Sequence, residues 1–241
     1  MVLGLMNNTP TYIQSTTNNL FVSNLLGLLV TLLIGFFVHV YIKRFIHFPQ
    51  NTWYIQFLLL FGLMLSFLLH ISMAFIEAPV HKTHMIYTSC IISFSCTLIL
   101  SLEAFIQSLS GHTLSKSILS VMCLSVIIIN PYVCFYLNLN IIANKSHFSP
   151  YFVTDFYICY LVTISIVLLF RSFNSSIHSR FLFLTLFSSF SAWTLRLFNV
   201  IFYYRLPLIY TYIILSSYML PQTIITMREH VHSIFTTSLI D

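Results

Sequence analysis

Residues 215–235 read LSSYMLPQTIITMREHVHSIF, an apolar stretch that carries a proline and runs out into a short tail with one arginine, one glutamate and two histidines. In that tail, apolar residues recur at i, i+4, i+7 and i+8, which is the spacing of one face of an α-helix. These residues are Met227, Val231, Ile234 and Phe235. The stretch therefore predicts a membrane-spanning helix containing Pro221, followed by an interfacial helix that lies on the membrane surface.

The whole chain has the composition of a membrane protein. Of its 241 residues, 58% are hydrophobic and only 6% are charged, too few charges to cover a soluble globule of this size. The apolar runs are about twenty residues long, as a membrane-crossing helix requires. They lack the alternation, in runs of about ten residues, that is typical of membrane strands. We therefore predict an all-α, polytopic membrane protein whose main partner is the lipid bilayer.

The apolar runs predict a seven-transmembrane helical bundle. Their ranges are 20–42, 53–76, 85–108, 117–136, 151–170, 181–203 and 206–227. This divides the chain into a short N-terminal segment (1–19), a seven-helix domain (20–227) and a short tail (228–241). Only a tight hairpin at residues 204–207 separates the last two runs, so without that turn the prediction falls to six helices.

The orientation of the bundle follows from Lys and Arg in alternate loops. Six lie on one side: Lys43, Arg44, Lys116, Arg171, Arg180 and Arg228. Three lie on the other: Lys82, Lys145 and Arg205. The richer side is expected to be cytoplasmic, which places the N-terminus outside and the tail inside. Two glycosylation sequons, at Asn7 and Asn144, fall on the predicted outer side and predict a glycoprotein; a third, at Asn174, falls inside as a chance match.

Several classes of site are not indicated by the sequence. The five cysteines all lie in apolar runs and form neither a metal-ligand spacing nor a disulfide framework. No catalytic motif is present, so we expect neither enzymatic activity nor a cofactor. The net charge of +5 is spread thinly between helices, which argues for membrane orientation rather than nucleic-acid binding.

Two charges inside the apolar runs, Asp155 and Arg196, are the first candidates for a binding site, because charges in a membrane helix are costly. Either they face an outward pocket and bind a polar ligand group, or they form a packing ion pair, with Arg196 alternatively extending to the interface. Trp193, one turn before Arg196, is either the floor of such a pocket or a packing residue.

Further polar and aromatic residues lie at the predicted outer helix ends. They are Glu77, His81, His84, Tyr203 and Tyr204. We keep two interpretations of this group open, since such residues either contact a ligand or anchor the helices at the interface.

Three stretches resemble a known family. Residues 100–105 (LSLEAF) look like an acid–arginine–aromatic ending of a third helix, with Ala104 where arginine is usual. Residues 179–187 (SRFLFLTLF) look like the basic, then aromatic start of a sixth helix, and residues 220–235 resemble a proline-bearing seventh helix with its tail. The chain thus resembles rhodopsin-like receptors, and more narrowly the nematode serpentine chemoreceptors of the gamma class. It departs from them in having no Asn before Pro221, no Tyr three residues after it and no cysteine in residues 138–151.

The resemblance implies a G-protein-coupled chemosensory receptor of the plasma membrane that transduces the signal of an unknown small ligand. Ligand would enter between helices three, five, six and seven. Glu103 would be the acid at the cytoplasmic end of helix three. Because Ala104 replaces its partner, either coupling would use Arg171, Arg180 and Arg228 or the chain would signal poorly. The alternatives are a small channel or transporter, or a structural membrane protein, although no internal repeat, broken helix or paired acid points to transport.

Overall fold

The structure is a computed structural model that describes residues 25, 27–35, 38, 52–72, 79–143, 150–174, 176–198 and 206–237. All regular elements in these ranges are helices. They are α1 (residues 27–35), α2 (Trp53–Ser72), α3 (Pro79–Ser110), α4 (Lys116–Ala143), α5 (Pro150–Ser172), α6 (Ile177–Leu197), α7 (Leu206–Ile214) and α8 (Leu220–Thr237). The chain is therefore an all-α bundle, as predicted.

Five of the described helical stretches are long and apolar enough to cross a bilayer. They are Trp53–Ile71, Tyr87–Ser110, Ser117–Leu137, Val153–Ser172 and Leu206–Arg228. The multi-pass membrane architecture is thereby confirmed. Of the sixth predicted run, 181–203, the structure describes α6 to Leu197 with Phe198 as its C-cap, and residues 199–203 lie outside the described ranges.

Helix α3 is the centre of the bundle. It packs against α2, α4, α5, α6 and α7, and 67% of its membrane span is buried compared with 22% for α4. Helix α4 instead exposes large apolar side chains such as Val121, Ile128 and Tyr132. Exposed apolar side chains of this kind suit contact with lipid tails.

Several buried hydroxyl groups in this core form hydrogen bonds within their own helix. Ser93 and Ser101 donate to backbone carbonyls four residues earlier in α3, and Ser165 does the same in α5. Such local bonds let a serine enter an apolar environment without a distant partner. These residues are therefore structural rather than candidates for a site.

A second group of polar contacts joins different helices. Asn130 of α4 donates from Nδ2 to Ser95 Oγ of α3 at 2.8 Å, and accepts at Oδ1 from the Tyr157 hydroxyl of α5 at 2.6 Å. In α7, Thr211 Oγ1 lies 2.9 Å from Ser66 Oγ of α2. Interhelical hydrogen bonds of this type hold a membrane bundle in register.

The last helix is not interrupted by its proline. A π-helical turn, Leu215–Met219, joins α7 directly to α8, and the Leu220 N–H bonds to the Leu215 carbonyl five residues back. Pro221 has no N–H, and its ring would clash with the carbonyl of Ser217 in a regular α-helix, so the wider turn relieves that conflict. Helix α8 then continues through the predicted boundary at 227–228 to Thr237. The tail is thus helical to Thr237, and its place on the membrane surface stays a prediction.

Candidate functional site

Asp155 lies near the start of α5 and is buried, with 5% of its surface exposed. The hydroxyl of Tyr87, on α3, donates a hydrogen bond to its carboxylate. The second carboxylate oxygen, Oδ1, has no hydrogen-bond partner among the residues that the structure describes. Asp155 is therefore an acid held on one side and open to a further donor on the other.

Tyr210 of α7 and Arg196 of α6 lie close to this acid. The Tyr210 ring is buried edge-on against Phe94, with ring centroids 5.1 Å apart, and its hydroxyl has no hydrogen-bond partner within the described ranges. Arg196 acts electrostatically on both Asp155 and Tyr210. It occupies the last turn of α6, where a positive charge also stabilises the helix dipole.

These four residues form what we call the Asp155 cluster: Tyr87, Asp155, Arg196 and Tyr210. They come from α3, α5, α6 and α7, the helices named above for ligand entry. An ionised carboxylate in an apolar interior costs several kcal/mol unless it is paired and hydrogen-bonded. A tyrosine hydroxyl and a nearby guanidinium offset part of this cost and leave one oxygen available for a polar group.

One small cavity adjoins the Asp155 cluster within the described part of the chain. A cavity of about 20 Å³ lies between α3, α4 and α5, lined by Tyr87, Pro131, Cys134 and Thr154 among others. One water molecule needs roughly 10–15 Å³ of such space. This cavity therefore holds about one water.

Trp193 lies outside the cluster, in the groove between α5 and α6. Its ring meets Phe156 edge-on, with centroids 5.5 Å apart, and is tilted against Phe190 at 6.0 Å. Phe156, next to Asp155 in the chain, is 44% exposed. Trp193 is thus partly buried and packs between two helices. It contacts Phe156, the chain neighbour of Asp155, rather than Asp155 itself.

Glu103 lies at the opposite end of the bundle. It follows Tyr87 by sixteen positions in α3, about 24 Å along the helix axis. Its side chain is 4% exposed, and it lines a cavity of about 170 Å³, which we call the Glu103 cavity. The same cavity is lined by Ala104.

The basic residues predicted for coupling do not enter this cavity. Arg171 at the end of α5, Arg180 at the start of α6 and Arg228 in α8 are all exposed. They share the Glu103 end of the bundle, because that is where α5 ends and α6 begins. None of the three is among the described residues that line the Glu103 cavity.

For the remaining predicted residues, the structure describes either the backbone alone or no part. Glu77, Tyr203, Tyr204, Asn7 and Asn144 lie outside the described residues. For the two histidines, His81 and His84, the structure places only the backbone, in the first turns of α3. No group of three His, Cys, Asp or Glu side chains that could hold a metal ion occurs in the described ranges.

Sequence reasoning missed the residues that complete both sites. Tyr87 and Tyr210 complete the Asp155 cluster, and Gln56, Tyr218 and Gln222 line the Glu103 cavity. The two glutamines carried a usable signal, because an amide inside an apolar run is costly unless it is hydrogen-bonded. The tyrosines carried none, since fourteen of them are spread through the chain.

Comparison with known proteins adds no relative to this picture. No protein-family model matches the chain, and no curated protein matches it.

Proposed function

We propose that this protein is a seven-helix, G-protein-coupled receptor of the chemosensory type, which binds a small polar ligand at the Asp155 cluster. The observation that carries the proposal is this cluster of buried polar groups at one end of the bundle, contributed by α3, α5, α6 and α7. The unpartnered Oδ1 of Asp155 and the unpartnered hydroxyl of Tyr210, both within the described ranges, provide an acceptor and a donor for a ligand.

The ligand would carry a hydrogen-bond donor or a positive charge for Asp155. Because the adjoining cavity holds about one water, binding would accompany a rearrangement of α5 or α6 relative to α3. A ligand with higher affinity for the opened arrangement shifts the population of the bundle towards it. The Phe156–Trp193 contact lies between the two helices that would move.

The cytoplasmic readout would occur at the other end. Arg171, Arg180 and Arg228 are exposed there and provide a basic surface for a heterotrimeric G protein. The predicted orientation, with this end inside, supports a plasma-membrane receptor whose N-terminus and Asn144 face outwards and are glycosylated. Ala104 next to Glu103 means that the arginine usual in this family takes no part.

Topology is the first test. Glycosylation at Asn7 and Asn144 is mapped in cells that express the chain with an epitope tag after residue 241. The proposal requires modified sequons and a tag that antibody reaches only after permeabilisation. An unmodified Asn7 combined with a tag accessible on intact cells would refute the receptor assignment.

Signalling is the second test. Cells expressing the wild type and the Asp155→Asn variant at equal surface levels are screened with polar small molecules, with second-messenger output as the readout. We expect a compound that activates the wild type and loses at least about tenfold in potency on Asp155→Asn, as the loss of a charge-assisted hydrogen bond predicts. Equal potency on both proteins would place the binding site elsewhere.

A small channel or transporter remains the second candidate, and one observation favours it. The bundle buries a carboxylate near each end, Asp155 and Glu103, and buried acids in membrane helices often mark an ion path. Reconstituted liposomes separate the two functions. Proton or cation flux that depends on both acids would favour transport, whereas tight vesicles would favour the receptor.

A further inference from the structure

Two exposed arginines lie on neighbouring helices at the Glu103 end of the bundle. Arg171 is the last residue but one of α5, and Arg180 is the fourth residue of α6. By the rise of a helix, Arg171 is about 1.5 Å from the end of α5 and Arg180 about 4.5 Å from the start of α6. Because α5 and α6 pack against each other as consecutive helices, the two side chains leave the bundle at nearly the same depth.

Each arginine is the last member of an exposed stripe on its helix. The apolar members of the two stripes are Val167 and Phe170 on α5, and Leu184 and Phe187 on α6. The members follow one another at intervals of three or four residues, which places each stripe on one face of its helix. Phe170, next to Arg171, is 75% exposed. These faces suit contact with lipid acyl chains, and both end at a positive charge.

Ring contacts connect the two stripes. Phe173, which follows α5, meets Phe183 of α6 edge-on, with ring centroids 5.1 Å apart. Phe183 in turn stacks on Phe187 at 6.3 Å, and Phe187 belongs to the exposed stripe of α6. The end of α5 is therefore packed against the same part of α6 that carries the second stripe. We call Arg171, Arg180 and the two stripes the arginine corner.

No carboxylate in the described ranges neutralises the arginine corner. The acids whose side chains the structure describes are Asp155 and Glu103. Asp155 is sixteen positions before Arg171 in α5, about 24 Å along the helix axis. Glu103 is 4% exposed and lines a cavity that neither arginine lines. The corner thus presents positive charge beside exposed apolar surface, which is the complement of a negatively charged lipid.

We propose that the arginine corner binds one anionic phospholipid, with its phosphate at Arg171 and Arg180 and its acyl chains along the two stripes. A guanidinium group binds phosphate through paired N–H donors. The predicted orientation places this end at the cytoplasmic leaflet, which carries the anionic lipids. The site uses two of the three arginines proposed above for contact with a G protein, but lipid binding does not depend on signalling.

The test is native mass spectrometry of the full chain in detergent micelles that contain phosphatidylserine and phosphatidylcholine with the same acyl chains. We expect the wild type to retain one phosphatidylserine in preference to phosphatidylcholine. Equal retention of the two lipids would overturn the proposal. Glycerophosphoserine, the same head group without acyl chains, is expected to leave the lipid bound at equal concentration. Its displacement of the lipid would assign the corner to a soluble anion and refute a lipid site.

Substitutions locate the site. The double variant Arg171→Gln with Arg180→Gln is expected to lose about 25-fold in its preference for phosphatidylserine, about fivefold for each charge removed. The matched control Arg228→Gln removes an exposed arginine on α8 and is expected to keep the preference. An equal loss in the control would show diffuse attraction to a basic surface and would refute the site. A double variant that keeps the preference would refute it as well.

Thermal melts separate a lost site from a folding defect. Both arginines are exposed, so the double variant without lipid is expected to melt as the wild type does. Phosphatidylserine should raise the melting temperature of the wild type and not that of the double variant, because a ligand that binds only the folded state stabilises it. If the double variant does not fold, the two single variants replace it, and an unchanged preference in either contradicts the site. None of these readouts uses signalling, so their failure leaves the receptor proposal standing.

Discussion

Replacement of Gly62 by alanine tests the packing of α2 on α3, the contact on which the core depends. A Cβ atom at Gly62 would lie 2.8 Å from Ser93 Oγ, 3.4 Å from Ile92 Cγ2 and 3.6 Å from the Ser89 carbonyl oxygen. The first distance is shorter than side chains tolerate. The Ser93 hydroxyl is also held in place, because it donates to the Ser89 carbonyl at 3.1 Å.

The expected magnitude combines two opposing effects. Overpacking a well-packed core destabilises by about 1–3 kcal/mol, whereas alanine in a helix is more favourable than glycine by about 1 kcal/mol. Gly35 provides a matched control, because a Cβ there meets nothing within 4 Å. We therefore expect Gly62→Ala to be less stable than Gly35→Ala by about 1–3 kcal/mol in the free energy of unfolding.

The assay is reversible unfolding in mixed micelles by titration with sodium dodecyl sulphate, followed by the fluorescence of Trp53 and Trp193. Adding Ser93→Ala to Gly62→Ala removes the obstructing hydroxyl and is expected to restore most of the lost stability. A difference of less than about 0.5 kcal/mol in the free energy of unfolding between the two glycine variants is the size of a neutral surface change. That result would contradict the close packing of α2 on α3. Failure of the rescue would mean that another contact causes the loss.

Two further predictions concern the contacts of α4. Replacing Asn130 by alanine leaves two hydroxyl groups without their partner and is expected to cost about 1–2 kcal/mol in the free energy of unfolding. In a double-mutant cycle with Tyr157→Phe the two losses should not add, and simple additivity would show that the hydrogen bond contributes nothing. The thiols of Cys96 and Cys123 contact each other between α3 and α4, so mild iodine oxidation is expected to join them in a disulfide. Mass spectrometry of unreduced peptides detects that linkage, and a disulfide to any other cysteine instead would contradict the helix register.

Part of the candidate site could be predicted from the positions of charged residues in the sequence. Asp155 and Arg196 were predicted either to face an outward pocket or to form an ion pair, and the structure places them close enough to interact. Glu103 was predicted near a helix end, and it lies seven residues before the end of α3 at Ser110. These predictions depend only on the rise of a helix and on the cost of a charge in an apolar run, and both are read from one segment at a time.

The residues that surround these charges could not be predicted in the same way. Nothing in the sequence near Glu103 indicates Tyr218 or Gln222, more than a hundred residues further along the chain. Which residues meet depends on how each helix is rotated about its axis. In a soluble protein an apolar stripe reveals that rotation, but a membrane helix is apolar on its lipid face and on its core face alike.

The class of this protein, the helical state of its apolar runs and the approximate ends of those runs follow from the order of its amino acids. The reason is that a bilayer leaves backbone groups no partner except within a helix, so a run of about twenty apolar residues has one outcome. The central place of α3, the contact of Gly62 with Ser93 and the cavity that Glu103 lines together with Tyr218 and Gln222 became visible in the folded bundle alone. Those features arise from the fit of side chains between helices, and packing of that kind is specified by the whole bundle at once.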